Sequence, residues 1–366
     1  MTDDIDQTTH AQILSMTNHP AFQGKPIAIM PDCHAGKGSC IGFTMPLGDY
    51  ILPAVVGVDI GCGVLAANLG RLANLDVKDF DIKLKQEVPS GFNLRLKAID
   101  SLLYEDSYSY QGTSNLVGIT SDKMLRALGT LGGGNHFIEL DKDEGENIWA
   151  IIHTGSRNLG KRVCDFYQKA SRELLKKYFI EPEYGFEFLW KGDYKYQNYL
   201  ESMRVAQSYA QANRKAILDS ILEILNLEGN PIEVVESVHN YIDFEDKIIR
   251  KGAIRAHKDE MCVIPLNSAD GTLICKGKGN QQWNNSAPHG AGRLMSRTEA
   301  KKTLTVDDYQ AKLSDSGVYS TTADITTLDE SPDAYKNADT IKSQIMDTVD
   351  VVKVLRPIYN FKSVGD

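Results

Sequence analysis

The run Ser286-Ala287-Pro288-His289-Gly290-Ala291-Gly292-Arg293 sets one histidine among small residues, with an arginine four positions on. A backbone without bulky side chains can approach a phosphate closely, and a guanidinium can neutralise it. His289 can therefore act as a nucleophile toward phosphorus or as a metal ligand, and the run by itself leaves both open. Three more of the eight histidines stand in polar or glycine-rich company. They are His136 in Gly132-Gly133-Gly134-Asn135-His136-Phe137-Ile138-Glu139, His153 in Ile152-His153-Thr154-Gly155-Ser156-Arg157, and His239 in Val238-His239-Asn240-Tyr241. The cluster Gly57-Val58-Asp59-Ile60-Gly61-Cys62-Gly63 adds a carboxylate and a thiol three apart. Such donors can bind a divalent transition metal, the thiolate and imidazoles favouring zinc, manganese, iron or cobalt over magnesium. A lone buried histidine is more often hydrogen-bonded structure, so spacing alone is a weak signal.

Three glycine-rich turns could present backbone N–H groups to phosphate: Gly132-Gly133-Gly134, Ala35-Gly36-Lys37-Gly38 and Lys276-Gly277-Lys278-Gly279. None fits GxxxxGK[ST], which argues against P-loop chemistry. Ser156 lacks the GxSxG setting of a serine hydrolase.

The elements that must position these residues alternate along the chain. Glycine-rich apolar territory spans 26–64, 128–160 and 263–293. Within it Pro26-Ile27-Ala28-Ile29-Met30 and Ile148-Trp149-Ala150-Ile151-Ile152 read as short buried strands, with the chemistry-bearing residues just beyond them. Residues 164–179 and 196–227 carry apolar residues at helical spacing, the longer stretch as a helix pair or one long helix. Residues 104–115 and 181–197 read as loops rich in aromatics, which plug a loop onto the protein body more often than they stack on RNA bases. No repeat or linker divides the chain, so residues 1–366 are expected to form one elaborated domain.

A length of 366 residues with 42% hydrophobic and 24% charged residues is that of an ordinary globular protein with a substantial core. No apolar run approaches the roughly 18–20 residues needed to span a bilayer, and the N-terminus lacks the signature of a signal peptide. Six scattered cysteines without a CxxC fit a reducing compartment, and a cytoplasmic protein is the expectation. A net charge of −9 counts against broad, charge-driven nucleic-acid binding and leaves a local basic cleft open.

Taken together, the segments resemble the RtcB family of RNA-splicing ligases. The matching stretches are Met30-Pro31-Asp32-Cys33-His34-Ala35-Gly36-Lys37-Gly38, Val56 to Gly63, Gly132 to Glu139 and His153 to Arg157. His239-Asn240, Arg250-Lys251-Gly252-Ala253 and His289 to Arg293 complete the series, in the family's order from about residue 25 onward. The resemblance implies an α+β fold: a single RtcB-like domain with mixed β-sheets around a metal cleft, peripheral helices, and a helical elaboration at about 164–227. It implies a GTP- and manganese-dependent ligase joining an RNA 3′-phosphate or 2′,3′-cyclic phosphate to a 5′-hydroxyl, in RNA repair or tRNA splicing. His289 matches the histidine that becomes guanylylated, on the way to an RNA-3′-pp-G intermediate. Asp59, Cys62, His136, His153 and His239 match the metal ligands, with Cys62 bridging two manganese ions.

By the same resemblance the GTP site takes in Asn135, His136, Glu139, His239, Asn240, Pro265, Leu266, Asn267, Ser268 and Thr272. His289, Gly290, Ala291, Gly292, Tyr335 and Lys362 complete it, Lys362 reaching a guanine edge. The implied partners are RNA with those ends, GTP and an accessory activating protein, with no membrane. Many members carry Gly-Ser-Met-Gly where this chain has Leu266-Asn267-Ser268-Ala269-Asp270-Gly271, so side chains stand there in place of glycine. The chain resembles a compact bacterial-type subgroup. Two other functions use the same residues: a metal-dependent RNA-end phosphodiesterase or cyclic phosphatase, which needs no histidine nucleophile, and a non-catalytic RNA-end-binding protein.

Overall fold

A computed structural model describes residues 5–99, 107–182 and 185–363. Its centre is a seven-stranded sheet in the order Met261–Asn267, Gly271–Gly277, Val349–Lys362, Phe137–Lys142, Ile148–Thr154, Gly63–Gly70 and Glu233–Val238. Every pairing in it is antiparallel. The first and last strands approach one another, the Val263 amide donating to Ser237 Oγ at 3.0 Å, so the sheet curls into a nearly closed barrel.

Alternation along the strands decides what lies on each side. Val64, Ala66, Phe137, Trp149, Ile151, Val235, Val263, Ile274 and Leu355 form one buried cluster, with contributions from all seven strands. The intervening residues Leu65, Ala67, Ile138, Leu140, Ala150 and Ile152 face the other way, onto Phe80 and Leu84 of helix Val77–Glu87 and Ile217 and Ile221 of helix Tyr194–Ile224.

A smaller antiparallel sheet, in the order Ala28–His34, Ile41–Pro46, Ile248–Lys251 and Asn240–Asp243, packs beside the barrel. Phe43 and Met45 of this sheet share a core with Val163 and Tyr167 of helix Arg157–Lys177 and with Met203 and Tyr209 of the long helix. The ribbon Ala253–Arg255 with Ser286–Pro288 carries the chain on to His289.

The periodic segment 196–227 is one helix of 31 residues, about 46 Å long, capped by Asp193 accepting from the Lys195 amide. Helix Arg157–Lys177 begins earlier than its apolar spacing suggests, so Ser156 and Arg157 sit at a helix start. Strand Ala28–His34 runs further than 26–30, which puts Asp32 and His34 inside a strand. The loop expected at 104–115 is corrected in part: Ser107–Leu116 is helical, and 104–106 lie outside the described residues. Tyr110 explains the helix, because its ring is buried and its hydroxyl meets Ser208 Oγ on the long helix at 2.6 Å. Tertiary docking there overrides a weak local pattern. In 181–197, Phe186 is buried and stacks on His19 at 5.3 Å, with Phe188 and Trp190 packed against the same core. Residues 183–184 lie outside the described residues.

The long helix matters to the site through two side chains. Asn213 accepts from the Gly129 amide at 2.8 Å and donates to the carbonyls of Thr130 and Gly155. Arg214 is fully buried, pairs with Glu236 and donates to the carbonyls of Gly61 and Thr154 at 2.8 and 2.9 Å. Removing one partner of a buried, hydrogen-bonded ion pair costs about 3–5 kcal/mol. Arg214→Met is therefore expected to lower unfolding free energy by about that amount, measured by urea titration.

Candidate metal and nucleotide site

Four neighbouring strands bring their ends together. His136 immediately precedes Phe137–Lys142, His153 is next to last in Ile148–Thr154, Cys62 immediately precedes Gly63–Gly70, and His239 immediately follows Glu233–Val238. The antiparallel register pairs Phe137 with His153, and Gly63 with both Thr154 and Val238, so these ends lie along one edge. The His239 amide donates to the Cys62 carbonyl at 2.9 Å, fixing the last pair. Asp59 is placed by the turn after helix Pro53–Val56, where the Cys62 amide donates to the Asp59 carbonyl.

The donors form two groups that share one sulfur: Asp59, Cys62 and His136, and Cys62, His153 and His239, each with its ligand atoms within 4.8 Å of one another. Cys62 Sγ lies 3.5 Å from His136 Nε2 and 3.3 Å from His153 Nε2. His153 Nε2 and His239 Nε2 face each other at 3.4 Å. His136 donates from Nδ1 to the Leu131 carbonyl at 2.9 Å, which turns Nε2 toward Asp59 Oδ2, also 2.9 Å away. A second-side hydrogen bond of this kind sets the tautomer of a metal-binding imidazole.

Protonation fits a metal site too. Burial, and then the neighbouring histidines, hold His153 and His239 well below the usual imidazole range, in the neutral ligating form. Burial raises Asp59, but the hydrogen bond and charge of His136 outweigh it and keep the carboxylate ionised. Burial and then the Asp59 carboxylate push the Cys62 thiol well up. A thiolate in this position needs a bound cation to balance it, and soft, borderline donors of this type suit a transition metal.

His289 lies beside this set and belongs to neither group. Its ring is 4.8 Å from that of His239, and it donates from Nδ1 to Asp32 Oδ2 at 2.7 Å, leaving Nε2 with its lone pair free. The His289 amide also faces Asp32 Oδ2, at 3.3 Å, and Asp32 is fully buried. The glycines of the run serve packing as well as access. A Cβ on Gly292, whose φ is 73°, would lie 2.4 Å from the Asp32 carbonyl oxygen, so glycine lets the two segments touch. Arg293, expected to be available to phosphate, is already engaged: it bonds the Asp329 carbonyl at 2.6 Å and Glu330 at 3.2 Å.

A cavity of about 790 Å³ opens beside His289. Its wall includes Asn135, Glu139, Pro265, Leu266, Asn267, Ser268, His289, Gly290, Ala291, Gly292, Tyr335 and Lys362, twelve of the residues the sequence suggests for a nucleotide. The other four, His136, His239, Asn240 and Thr272, do not line it, the two histidines lying instead in the donor groups. Thr272 is fully buried in its strand, and Asn240 braces the backbone by accepting from the Gly252 amide at 3.1 Å. A second cavity, of about 460 Å³, reaches Asp59 and His136 from another side, and Asn135 lines both. Ala35 and Gly36 line the first cavity and Gly133 and Gly134 the second, whereas the Lys276–Gly279 turn has its lysines paired with Asp259 and Asp350.

Sequence reasoning gave no role to Asp32, although it stands two residues before His34 in a quoted motif. It also missed His34, Phe137, Glu330 and Asn360, all on the cavity wall. His34 donates from Nδ1 to the Asp32 carbonyl at 2.9 Å, and burial lowers its pKa to about 4. Glu139 accepts from Asn360 at 2.7 Å, and burial raises its carboxyl to about 7. Glycine-flanked histidines mark themselves in a sequence, whereas these residues sit in ordinary strand or loop context.

A buried thiol shared by imidazole and carboxylate donors, beside a cavity walled by a histidine that Asp32 holds, is able to bind a metal and to act on a phosphate ester. Comparison with known proteins makes this more specific. The family model described as tRNA-splicing ligase RtcB matches residues 12–363, and the chain belongs to that family of RNA ligases. The RNA-splicing ligase RtcB of Escherichia coli (strain K12) is 31% identical, over 97% of this chain and 94% of its own length. The tRNA-splicing ligase RtcB of Aeropyrum pernix is 29% identical, over 94% and 90%, and RNA-splicing ligase RtcB2 of an E. coli strain is 25% identical, over 99% and 93%. No helix among the described residues is long and apolar enough to cross a membrane.

Two measurements test the metal site. A Cβ on Gly155 would lie 2.2 to 2.6 Å from Oδ1, Oδ2 and Cγ of Asp59, so Gly155→Ala must push this candidate ligand aside while leaving the apolar core untouched. Its unfolding free energy should change by no more than about 1 kcal/mol, while metal analysis shows reduced loading. Because the Cys62 thiol must lose a proton to ligate and the two buried histidines need lose none, metal affinity should rise about tenfold per pH unit near neutrality. Calorimetry in buffers of different ionisation enthalpy should detect one released proton, absent in Cys62→Ser.

Proposed function

We propose that this chain joins RNA 3′-phosphate or 2′,3′-cyclic phosphate ends to 5′-hydroxyl ends, with GTP as the activating substrate, as one domain spanning residues 1–366. The single observation that carries this reading is the state of His289: Asp32 holds its Nδ1 at 2.7 Å, while the metal donors are complete without it. A histidine oriented this way can attack phosphorus through Nε2, a role for which a simple metallohydrolase has no use.

A 3′-phosphate dianion repels an incoming hydroxyl and has no good leaving group, so it must be activated. His289 Nε2 attacks the α-phosphorus of GTP, the N–P bond forming as the bond to pyrophosphate breaks. Asp32 keeps the Nδ1 proton in place and offsets the positive charge that develops on the ring. An oxygen of the RNA 3′-phosphate then takes the guanylate from His289, restoring the neutral imidazole. The 5′-hydroxyl oxygen attacks the activated 3′-phosphorus, loses its proton, and GMP departs with the bonding pair. The donor chemistry of Asp59, Cys62, His136, His153 and His239 fits two manganese ions, which would neutralise phosphoryl charge and lower the pKa of water or hydroxyl.

Glu139, Asn135 and Lys362 on the cavity wall supply polar groups for the nucleotide, and Phe137 supplies a ring face. Pro265 to Ser268 also line the cavity, and Asn267 closes its own turn there by accepting from the amides of Ala269 and Asp270. The second cavity leaves room for an RNA end to reach Asp59 and His136. All six cysteines are unpaired and buried, which supports a reducing, cytoplasmic setting. tRNA splicing and RNA repair, the work named for its relatives, are the roles proposed for it.

Incubation with α-labelled GTP and manganese should leave label on wild type and none on His289→Ala. Asp32→Asn should fold and bind metal but label about 10²–10⁴-fold more slowly, as when a histidine's orienting carboxylate is replaced by an amide. Wild type that never takes label, yet opens cyclic phosphate ends, would favour the hydrolase instead.

A further inference from the structure

Glu330 is buried on the cavity wall, and its two carboxylate oxygens meet four donors. Oε1 accepts from Arg293 Nη1 at 3.2 Å and is ion-paired with Arg297 Nη2 at 3.0 Å. Oε2 accepts from the Tyr335 hydroxyl at 2.6 Å and Lys362 Nζ at 2.8 Å. Three cations and a hydroxyl thus surround the two oxygens, and the carboxylate is fully engaged by the protein. Burial alone would raise the group, but Lys362, Arg297 and Arg293 outweigh it and hold Glu330 at about 2. It is therefore charged at every working pH and cannot itself accept from a ligand.

What it can do is fix its partners. Lys362 gives one N–H to Glu330 and one to the Asn135 carbonyl at 3.0 Å, and its ammonium lies 4.9 Å from the Phe137 ring centre. An ammonium has three N–H groups, so one remains for a ligand in the cavity. Tyr335 is tethered to Glu330 on one side and lies under the Arg293 guanidinium, 5.1 Å from its ring centre. Glu330 thus links the lysine at the end of strand Val349–Lys362 to the arginine four residues after His289.

We propose that Glu330 is the positioning residue for nucleotide selectivity, holding the Lys362 ammonium where it meets the 6-oxo group of a purine and rejects a 6-amino group. The inference rests on the reading that GTP occupies this cavity. A fixed donor facing a purine oxygen gains a charge-assisted hydrogen bond, whereas the same donor facing an amino group is left unpaired against another donor. A lysine on a loose stem would turn away from the wrong base and discriminate less. The ion pair supplies the rigidity.

The test is labelling of the whole protein with α-labelled GTP, ITP and ATP. Wild type should accept GTP and ITP and discriminate against ATP. In Glu330→Gln the KM for GTP should rise by about tenfold or more, kcat should fall much less, and the GTP-to-ATP preference should shrink by a similar factor. Lys362→Met should behave the same way, and the double variant should be little worse than either single one, because the two residues act as a unit. Glu330→Asp keeps the charge but withdraws it by one methylene, and it decides the matter where Glu330→Gln fails to fold. Folded Glu330 variants with wild-type KM and wild-type base preference overturn the proposal while leaving GTP as substrate. Wild type that takes no label from GTP overturns the underlying reading and this inference with it.

Discussion

Everything in this molecule is arranged around one buried sulfur. Cys62 stands where two donor groups overlap, and burial by itself would keep it a thiol. Only a cation at that point makes thiolate favourable, so the fold must deliver imidazoles and a carboxylate to the same place at once. Antiparallel pairing achieves this with little freedom. Four adjacent strands begin or end along one edge, and each contributes a donor at or next to its terminus. A one-residue slip in any of them would turn its neighbouring side chains to the opposite face of the sheet.

The edge is held from behind. Asn213 and Arg214, adjacent in the middle of a 31-residue helix, bond backbone groups at Gly61, Gly129, Thr130, Thr154 and Gly155. These are the turns that carry Cys62, His136 and His153. The helix therefore does more than cover the outer face of the barrel. His289 is held differently, through Asp32 on the smaller sheet, and the contact of Gly292 with Asp32 keeps the two segments together. The candidate metal donors and His289 belong to separate supporting layers that meet at the His239–His289 ring contact.

Much of this was legible in the sequence. Asp59, Cys62, His136, His153 and His239 stood out as candidate donors by their polar or glycine-rich company, and the family resemblance joined them into one set. The strand at 148–152 and the long helix announced themselves by apolar period. Other features were hidden. The aromatic stretch at 104–115 reads as loop, yet Ser107–Leu116 folds as helix because Tyr110 finds a pocket on a helix far along the chain. Arg293 reads as a phosphate binder until Glu330 and the Asp329 carbonyl are seen to occupy it.

The sequence by itself determined which chemistry is possible: residue types fix which atoms can ligate, attack or carry charge, and the order of motifs fixes the family. Tertiary structure decided how those atoms are used. His289 could be ligand or nucleophile on residue type alone. The donor groups form next door without it, and Asp32 on its Nδ1 turns Nε2 away from that carboxylate, which is what favours the second role in our proposal. That partner, Asp32, lies 257 positions away in the chain. No local pattern encodes such a contact, since it exists only once two sheets have packed.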